Sequence, residues 1–250
     1  MAMAPIIEIT FYVCLSAAGH LWTKSPPVYS AIAFFLLLNV KAWPLSYTAR
    51  LLPALIRTYI LPAPVVQLPA EKSIEALFRV QSQRSWACPL ECDINMHKSN
   101  STFLVDLDTS RANLLAQQLI PACRALNGAR LILGSVETTF YREILPFQAY
   151  ETRSRILTWD SKWISIVTYL VQPGTDVEDG AGGLSDFLGR QREKKTLFAV
   201  ALSRYVAKKG RRTVAPEDLL DAGGYKGGAG EILNKARARE MEQWAMWQKL

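Results

Sequence analysis

The stretch that decides the fold runs from Asp93 to Arg111 and reads DINMHKSNSTFLVDLDTSR. It opens with an acid, an amide and an imidazole at alternating positions, Asp93, Asn95 and His97, and then becomes a run typical of a helix. A carboxylate can act as a nucleophile or general base, and the free N–H groups of a helix start can polarise a carbonyl oxygen. The spacing fits an acyl-transfer site about as well as it fits a polar loop whose Asp or Ser caps a helix.

The segments around this stretch predict an α+β fold. Apolar residues at helical spacing predict one long helix, which ends near the turn signal Asn127-Gly128. A strand is predicted before the helix, and segments rich in β-branched and aromatic residues predict more strands after it. The predicted strands are residues 74–84, 130–141, 149–159, 163–171 and 196–206. One strand, a long helix and an antiparallel meander describe a sheet wrapped around a central helix.

Two of the connections between the predicted strands have recognisable sequence patterns. The sequence WDSKW (159–163) predicts the turn of a hairpin between two of these strands. The Gly- and Asp-rich segment GTDVEDGAGGLSDFLG (174–189) predicts a mobile loop near a sheet edge.

Composition and charge narrow the class of protein. Half of the 250 residues are hydrophobic, which excludes global disorder. The net charge of +7 is scattered, with clusters at 190–195 and 208–212. These clusters favour solvated faces, with an anionic membrane surface or a phosphate-bearing cofactor arm as the alternative. No nucleic-acid-binding signature accompanies them, so we expect no nucleic-acid partner.

The cysteines predict neither a disulfide framework nor a zinc site. Cys88 and Cys92 lack a second Cys/His pair at suitable spacing. We therefore expect free thiols and a protein that needs neither a metal nor another cofactor.

The chain divides into four parts. Residues 1–60 are apolar but contain no clean spanning helix, and they predict a membrane anchor or interfacial hairpin. A pair of helices packed on the domain is the alternative. The basic residues Lys41, Arg50 and Arg57 favour a cytoplasmic face for the remainder of the chain. A Pro-rich linker (61–72), a globular domain (73–216) and a helical tail (217–250) come next; the tail suits a partner or a membrane surface.

Three motifs together resemble a known family. They are D-x-N-x-H at Asp93, Asn95 and His97, the stretch HKSNSTFLVDLDTSR (97–111), and FYREILPFQAYETRSRILTWDSKW (140–163). They resemble the hot-dog fold thioesterases, in the thioesterase-superfamily-member-six-like branch that includes fungal thioesterases of secondary-metabolite gene clusters. Lys98 and Ser99 differ from the usual pair after the histidine.

The resemblance implies roles for individual residues. Asp93 would be the nucleophile or the base that activates water, Asn95 would orient the acid or the water, and His97 would assist proton transfer or hold the thioester. Asn100 matches a family asparagine at the helix start. Independently of the resemblance, the predicted strands offer Phe140, Tyr141 and Trp159 to line a substrate pocket with Asn100, and packing in the core or in a dimer is the alternative for these aromatic side chains.

The resemblance also implies a function and an assembly. The implied activity is hydrolysis of an acyl thioester of coenzyme A or a carrier protein, in a membrane-associated homodimer with its domain on the cytoplasmic face. A non-catalytic acyl-binding or scaffold protein of the same fold is the first alternative. A hot-dog dehydratase is the second, and the His-x-x-x-Gly pattern expected for it is missing after His97.

Overall fold

The computed structural model describes residues 27–61, 76–175 and 183–225, with three isolated residues in the tail. In chain order its elements are α1 (Pro27–Leu38), α2 (Ser46–Tyr59), β1 (Gln81–Trp86), α3 (Asn100–Gln118), α4 (Ile120–Ala125), β2 (Arg130–Phe140), β3 (Ala149–Trp159), β4 (Trp163–Val171), α5 (Gly183–Glu193), β5 (Leu197–Lys209), β6 (Arg212–Val214) and α6 (Pro216–Ala222). Short 3-10 helices lie at Val40–Ala42 and Pro89–Glu91. The predictions for residues 1–26, for the linker at 62–72 and for most of the tail fall outside the described residues.

The strands form one antiparallel sheet in the order β1-β3-β4-β5-β2, and β6 pairs with β5. The sheet is wrapped around the 19-residue helix α3, which contacts β1, β3 and β4. This arrangement is the hot-dog fold, and it confirms the predicted α+β class. β3 and β4 have the predicted bounds, and Asp160 closes the predicted hairpin by accepting the N–H groups of Lys162 and Trp163.

Apolar side chains of α3 meet the concave face of the sheet. Leu107 and Phe103 pack with Tyr150, Leu170 and Phe198 near one end of the helix. Hydroxyl groups cross the middle of the same interface: Ser110 on α3 bonds to Ser154 on β3, which bonds to Thr168 on β4, each at 2.7 Å. The helix is therefore fixed to the sheet by both packing and hydrogen bonds.

Helix α5 covers the opposite face of the sheet. The prediction of a mobile loop is wrong for residues 183–189, because Gly183–Glu193 form a helix. Leu184, Phe187 and Leu188 lie on one side of it at helical spacing and pack on the outer face with Leu157 and Val167. Burial of that apolar side, rather than local propensity, explains why the segment is helical.

The segment from residue 27 to residue 61, hereafter the N-terminal arm, packs on the domain through α2, which lies against α3. Asn39 and Lys41, between the two arm helices, are buried. The part of the chain described by the structure contains no helix that is both long enough and apolar enough to cross a bilayer.

Candidate active site

The residues from Asp93 to His97 form a tight turn directly before α3. Cys92 and Lys98 pair across its base in an antiparallel bridge, and the Asp93 N–H donates to the His97 carbonyl at 2.9 Å. Met96 takes a left-handed conformation, with φ +58°, which allows the chain to reverse direction. The turn is exposed to solvent, and the Ile94 side chain is 96 % accessible.

The turn brings the predicted acid and imidazole together. The Asp93 carboxylate lies 3.5 Å from His97 Nδ1, and about a third of each side chain is accessible. A partly exposed acid beside an imidazole can accept a proton from a water molecule and pass it on. The two groups are thus close enough to work on one substrate.

Asn95 takes part through its backbone. Its N–H donates to Asp93 Oδ1 at 2.9 Å, which fixes one carboxylate oxygen inside the turn. Its own side chain is exposed. Asn95 therefore contacts the acid through its backbone N–H, and the orienting role of its side chain stays a prediction.

A pocket of about 270 Å³ begins at this turn. His97 and the first turn of α3 form one wall, and the end of β2 with the residues after it forms the other. The lining residues are His97, Lys98, Asn100, Phe103, Phe140, Tyr141, Arg142 and Glu143. Phe103 and Phe140 meet edge to face, with ring centroids 5.2 Å apart, and give the pocket an apolar floor.

The start of α3 supplies polar groups to the same pocket. Ser99 occupies the cap position without a side-chain cap bond, and the first N–H groups of a helix have no acceptor within the helix. The positive end of the helix dipole favours negative charge there. These groups can therefore stabilise an oxyanion that develops next to His97 and Asn100.

Of the four predicted substrate-binding residues, the structure places Asn100, Phe140 and Tyr141 at the pocket and Trp159 elsewhere. The Trp159 indole is only 2 % accessible and lies in the main hydrophobic core, stacked on Phe78 at 6.2 Å. Trp159 ends β3, away from the turn, so the correct assignment for it is core packing.

One arginine lines the pocket, and a second contacts the ring of a tyrosine that lines it. Arg142 lines it and its guanidinium also lies 5.8 Å from the Phe198 ring. Arg192, from the basic cluster at 190–195, lies 5.4 Å from the Tyr141 ring. Burial raises the pKa of the Tyr141 phenol, although Arg192 opposes this, so Tyr141 stays a neutral hydrogen-bonding group.

A network of buried ionisable groups lies directly beneath the turn. Lys98 Nζ is 2.9 Å from Asp106 and 3.3 Å from Glu91. Lys41 Nζ, from the N-terminal arm, is 2.8 Å from Glu91 and donates to the Tyr150 hydroxyl at 2.5 Å. Tyr150 in turn donates to Asp106. Two ammonium groups and two carboxylates thus neutralise one another in the core.

The pKa values in this network are set by burial and by the neighbouring charges. Burial alone would raise the pKa of Asp106, but Lys41, Lys98 and Arg50 outweigh it and hold that pKa well below its usual range. Burial lowers the pKa of Lys41, although Asp106 opposes this effect. Burial, with Asp106 and Glu91 nearby, raises the pKa of Tyr150 well above its usual range.

Sequence reasoning does not find this network. In the sequence Lys98 stands out only as a difference from the family motif, and Lys41 only as a positive flank of an apolar segment. The available signal is a lysine at the centre of an apolar stretch, because such a residue is buried only when it is paired.

Comparison with known proteins gives consistent results. The family model for the thioesterase-like superfamily matches residues 88–222. A probable thioesterase of Emericella nidulans, atnL, is 33% identical over 239 residues, covering 84% of this chain and 76% of that protein. The thioesterase poxG of Penicillium oxalicum is 33% identical over 253 residues, covering 91% and 82%. A probable thioesterase of Saccharomyces cerevisiae is 32% identical over 200 residues, covering 76% of each.

Proposed function

The chain belongs to the thioesterase-like superfamily and is a thioester hydrolase, and we propose that it cleaves an acyl thioester at the pocket beside the Asp93–His97 turn. The assignment of the site rests on one observation. The Asp93 carboxylate lies 3.5 Å from His97 Nδ1, next to a pocket that His97 and the N-terminus of α3 line. In this proposal Asp93 is the base, His97 the proton-transfer group and the start of α3 the source of oxyanion donors.

The chemistry uses these groups in sequence. Asp93 takes a proton from a water molecule as that water attacks the thioester carbonyl carbon, and the α3 N–H groups stabilise the resulting oxyanion. The oxyanion then collapses, the C–S bond breaks, and the leaving thiolate takes up a proton through His97. Direct attack by the Asp93 carboxylate, followed by hydrolysis of the anhydride, is the second route open to the same geometry.

The finer assignment of the substrate rests on the pocket and its rim. Phe103 and Phe140 offer apolar surface to an acyl chain. Arg142 and Arg192 offer charge to the phosphates that coenzyme A and the phosphopantetheine arm of a carrier protein both contain. Because relatives include the fungal thioesterases atnL, poxG and lcsJ, we further propose a role in fungal secondary metabolism.

Release of free thiol from a panel of acyl-coenzyme A and acyl-carrier thioesters tests the proposal. Asp93→Asn should lower kcat/KM by roughly 10², about 2.7 kcal/mol of transition-state stabilisation, and His97→Ala should lower it as well. Asp160→Asn is a matched control, because Asp160 also accepts backbone N–H groups in a turn but lies at the β3–β4 hairpin.

The outcomes separate the candidate functions. Turnover unchanged in Asp93→Asn and His97→Ala would remove the site assignment and leave the fold. Folded wild-type protein that binds acyl chains yet releases no thiol across the panel would favour the acyl-binding or scaffold function.

We also propose that the N-terminal arm attaches the protein to a membrane surface, with the domain on the cytoplasmic side. Support comes from large apolar side chains that are exposed on the arm: Val28, Ile32, Phe34 and Phe35 in α1, and Leu52 and Leu55 in α2. Exposed apolar surface of this extent is typical of a site that contacts lipid or protein.

Flotation with vesicles that contain anionic lipid tests this attachment. The double variant Phe34→Ser, Phe35→Ser should float less than the wild type, because it removes apolar area from the arm. Ile94→Ser removes an exposed apolar side chain outside the arm and should float like the wild type. Equal flotation of all three proteins would contradict the assignment of the arm as the membrane contact.

We also propose that the protein forms a homodimer. β2 ends the strand order, its outer edge has no partner strand among the residues described, and Ile132 and Leu133 on it are exposed. An apolar edge strand is a template for pairing with a second chain. Light scattering should give twice the monomer mass for the wild type and a lower mass for Ile132→Lys. A monomeric wild type would end this proposal.

A further inference from the structure

The N-terminal arm reaches the base of the Asp93–His97 turn from beneath. Asn39 Oδ1 accepts the backbone N–H of Leu90 at 2.8 Å, and Asn39 is fully buried. Two residues later, Lys41 Nζ binds Glu91 at 2.8 Å. The arm therefore contacts the residues that lead into the turn through one neutral and one charged hydrogen bond.

Glu91 and Lys98 stand at the two sides of the turn and are tied to each other. The Ser99 N–H donates to the Glu91 carbonyl at 2.9 Å, and the Lys98 ammonium lies 3.3 Å from the Glu91 carboxylate. Cys92 and Lys98 form the bridge that closes the turn. A group that fixes Glu91 consequently fixes both sides of the turn that holds Asp93 and His97.

We propose that Lys41 is a positioning residue for catalysis, and that the N-terminal arm thereby holds the active-site turn in place. This inference rests on the proposed function, since it concerns the same Asp93–His97 site. Lys41 touches neither the pocket nor the two reacting side chains; it acts through Glu91 and Lys98.

The charged and polar groups that meet Lys41 come from five parts of the chain. Asp106 and Tyr150 face it from α3 and β3, Glu91 from the 3-10 helix, and Lys98 from the turn, while Trp86 offers its carbonyl oxygen from the end of β1. Without the Lys41 ammonium, the two buried carboxylates would share Lys98 and the less buried Arg50.

Loss of Lys41 should therefore draw Lys98 toward Asp106 and loosen Glu91. Such a movement would shift the turn, and a shift of about 1 Å at a catalytic group can cost roughly 10²-fold in rate. The affinity for the acyl chain should change much less, because Phe103 and Phe140, and not the arm, form the apolar floor of the pocket. The signature of a positioning role is thus a lower kcat at a nearly constant KM.

The experiment compares Lys41→Met and Asn39→Ala with Arg57→Met in the full chain. Arg57 lies on the same arm but is exposed, so its variant removes a positive charge outside the network. Each variant is first shown to be folded by circular dichroism. Steady-state kinetics on the best thioester of the panel are then combined with amide hydrogen exchange over residues 92–98.

We expect kcat to fall about tenfold or more in Lys41→Met and about threefold in Asn39→Ala, with KM within about twofold of the wild type. Exchange over residues 92–98 should be faster in both variants, and Arg57→Met should match the wild type in every measurement. If Lys41→Met does not fold, Asn39→Ala alone decides, since it removes no charge and only two neutral hydrogen bonds, one to Leu90 and one to Phe35 within the arm.

Unchanged kcat in the folded variants, or exchange over residues 92–98 that stays at the wild-type rate, would overturn the positioning role. A parallel loss of kcat in Arg57→Met would also overturn it, because the effect would then belong to the arm in general. Hydrogen exchange does not depend on where catalysis occurs, so the link between arm and turn can hold even if Asp93→Asn shows that the proposed active site is wrong.

Discussion

The exposed turn at residues 93–97 and the buried network beneath it differ sharply although they are adjacent in sequence. The His97 side chain is 29% accessible, whereas that of Lys98, the next residue, is fully buried. The turn presents an acid and an imidazole to solvent. The network hides two lysines and two carboxylates in the core.

The groups with strongly shifted pKa values in this region and the predicted catalytic groups are therefore different residues. Next to the turn, Asp106 and Tyr150 have strongly shifted pKa values, and both are buried and paired in the network. Structural ion-pair networks shift pKa values as active sites do, so a shifted pKa alone does not mark the reacting group. In this protein the network lies next to the turn that holds Asp93 and His97.

Lys98→Met should give the largest loss of stability. It leaves Asp106 and Glu91 buried with one ammonium fewer, and breaking a buried ion pair in this way typically costs about 3–5 kcal/mol. The free energy of unfolding from urea titration at neutral pH measures the effect. Lys209→Met, at an exposed position, is the control and should stay within about 0.5 kcal/mol of the wild type. A small loss in Lys98→Met would mean that the network tolerates an unpaired carboxylate.

The second largest effect should be a change in how the stability of Lys98→Met depends on pH. Because the folded protein lowers the pKa of Asp106 below its ordinary value of 3.8, this carboxylate contributes stability that is fully present above about pH 4 and is lost as the pH falls. In Lys98→Met the carboxylate has lost a partner, so protonation relieves an unpaired charge. The stability gap between wild type and variant should therefore narrow from about pH 6 to about pH 3 in urea titrations. A gap that stays constant would show that Asp106 is not coupled to Lys98.

Asp93→Asn should have a much smaller effect on stability, in spite of its large expected effect on turnover. The asparagine side-chain oxygen can still accept the Asn95 N–H, and the Asp93–His97 pair is partly exposed. We expect the free energy of unfolding to change by about 0.5 kcal/mol or less. A loss of several kcal/mol would show that the turn, like the network, is mainly structural.

Ile94→Ala should have the smallest effect. Ile94 lies inside the turn, between the predicted catalytic residues Asp93 and Asn95, but its side chain is almost fully exposed. Both kcat/KM and the free energy of unfolding should match the wild type within measurement error. A marked change in kcat/KM alone would assign Ile94 a contact with the substrate or with a partner molecule.

The parts of the fold that sequence predicts well are those set by local pattern. The β-branched and aromatic segments predict β3 and β4 with their observed bounds, and Asp160 marks the hairpin between them. The sequence does not predict helix α5 because its segment is rich in glycine. Leu184, Phe187 and Leu188 have helical spacing, but their burial depends on packing against the outer face of the sheet, which the local sequence does not show.

The site likewise contains residues that the sequence identifies and residues that it does not. The D-x-N-x-H motif identifies the turn, since its three residues lie within one local structure. Lys41 and Tyr150 are missed as site components because they meet only in the folded chain, where burial and charge pairing decide their neighbours. Assigning Trp159 to the pocket rests on residue type, and residue type does not distinguish a lining aromatic from a core aromatic.

The contact between Lys41 and Tyr150 has a consequence for how the protein is made. The two residues are 109 positions apart, and a ribosome adds about 5–20 residues per second. Lys41 is therefore synthesised about 5–20 s before Tyr150, its buried partner. During that interval the apolar helices and the lysine of the arm have no domain to pack on, so chaperones or lipid can bind them. Synthesis order thus exposes to other molecules a lysine that the finished protein buries.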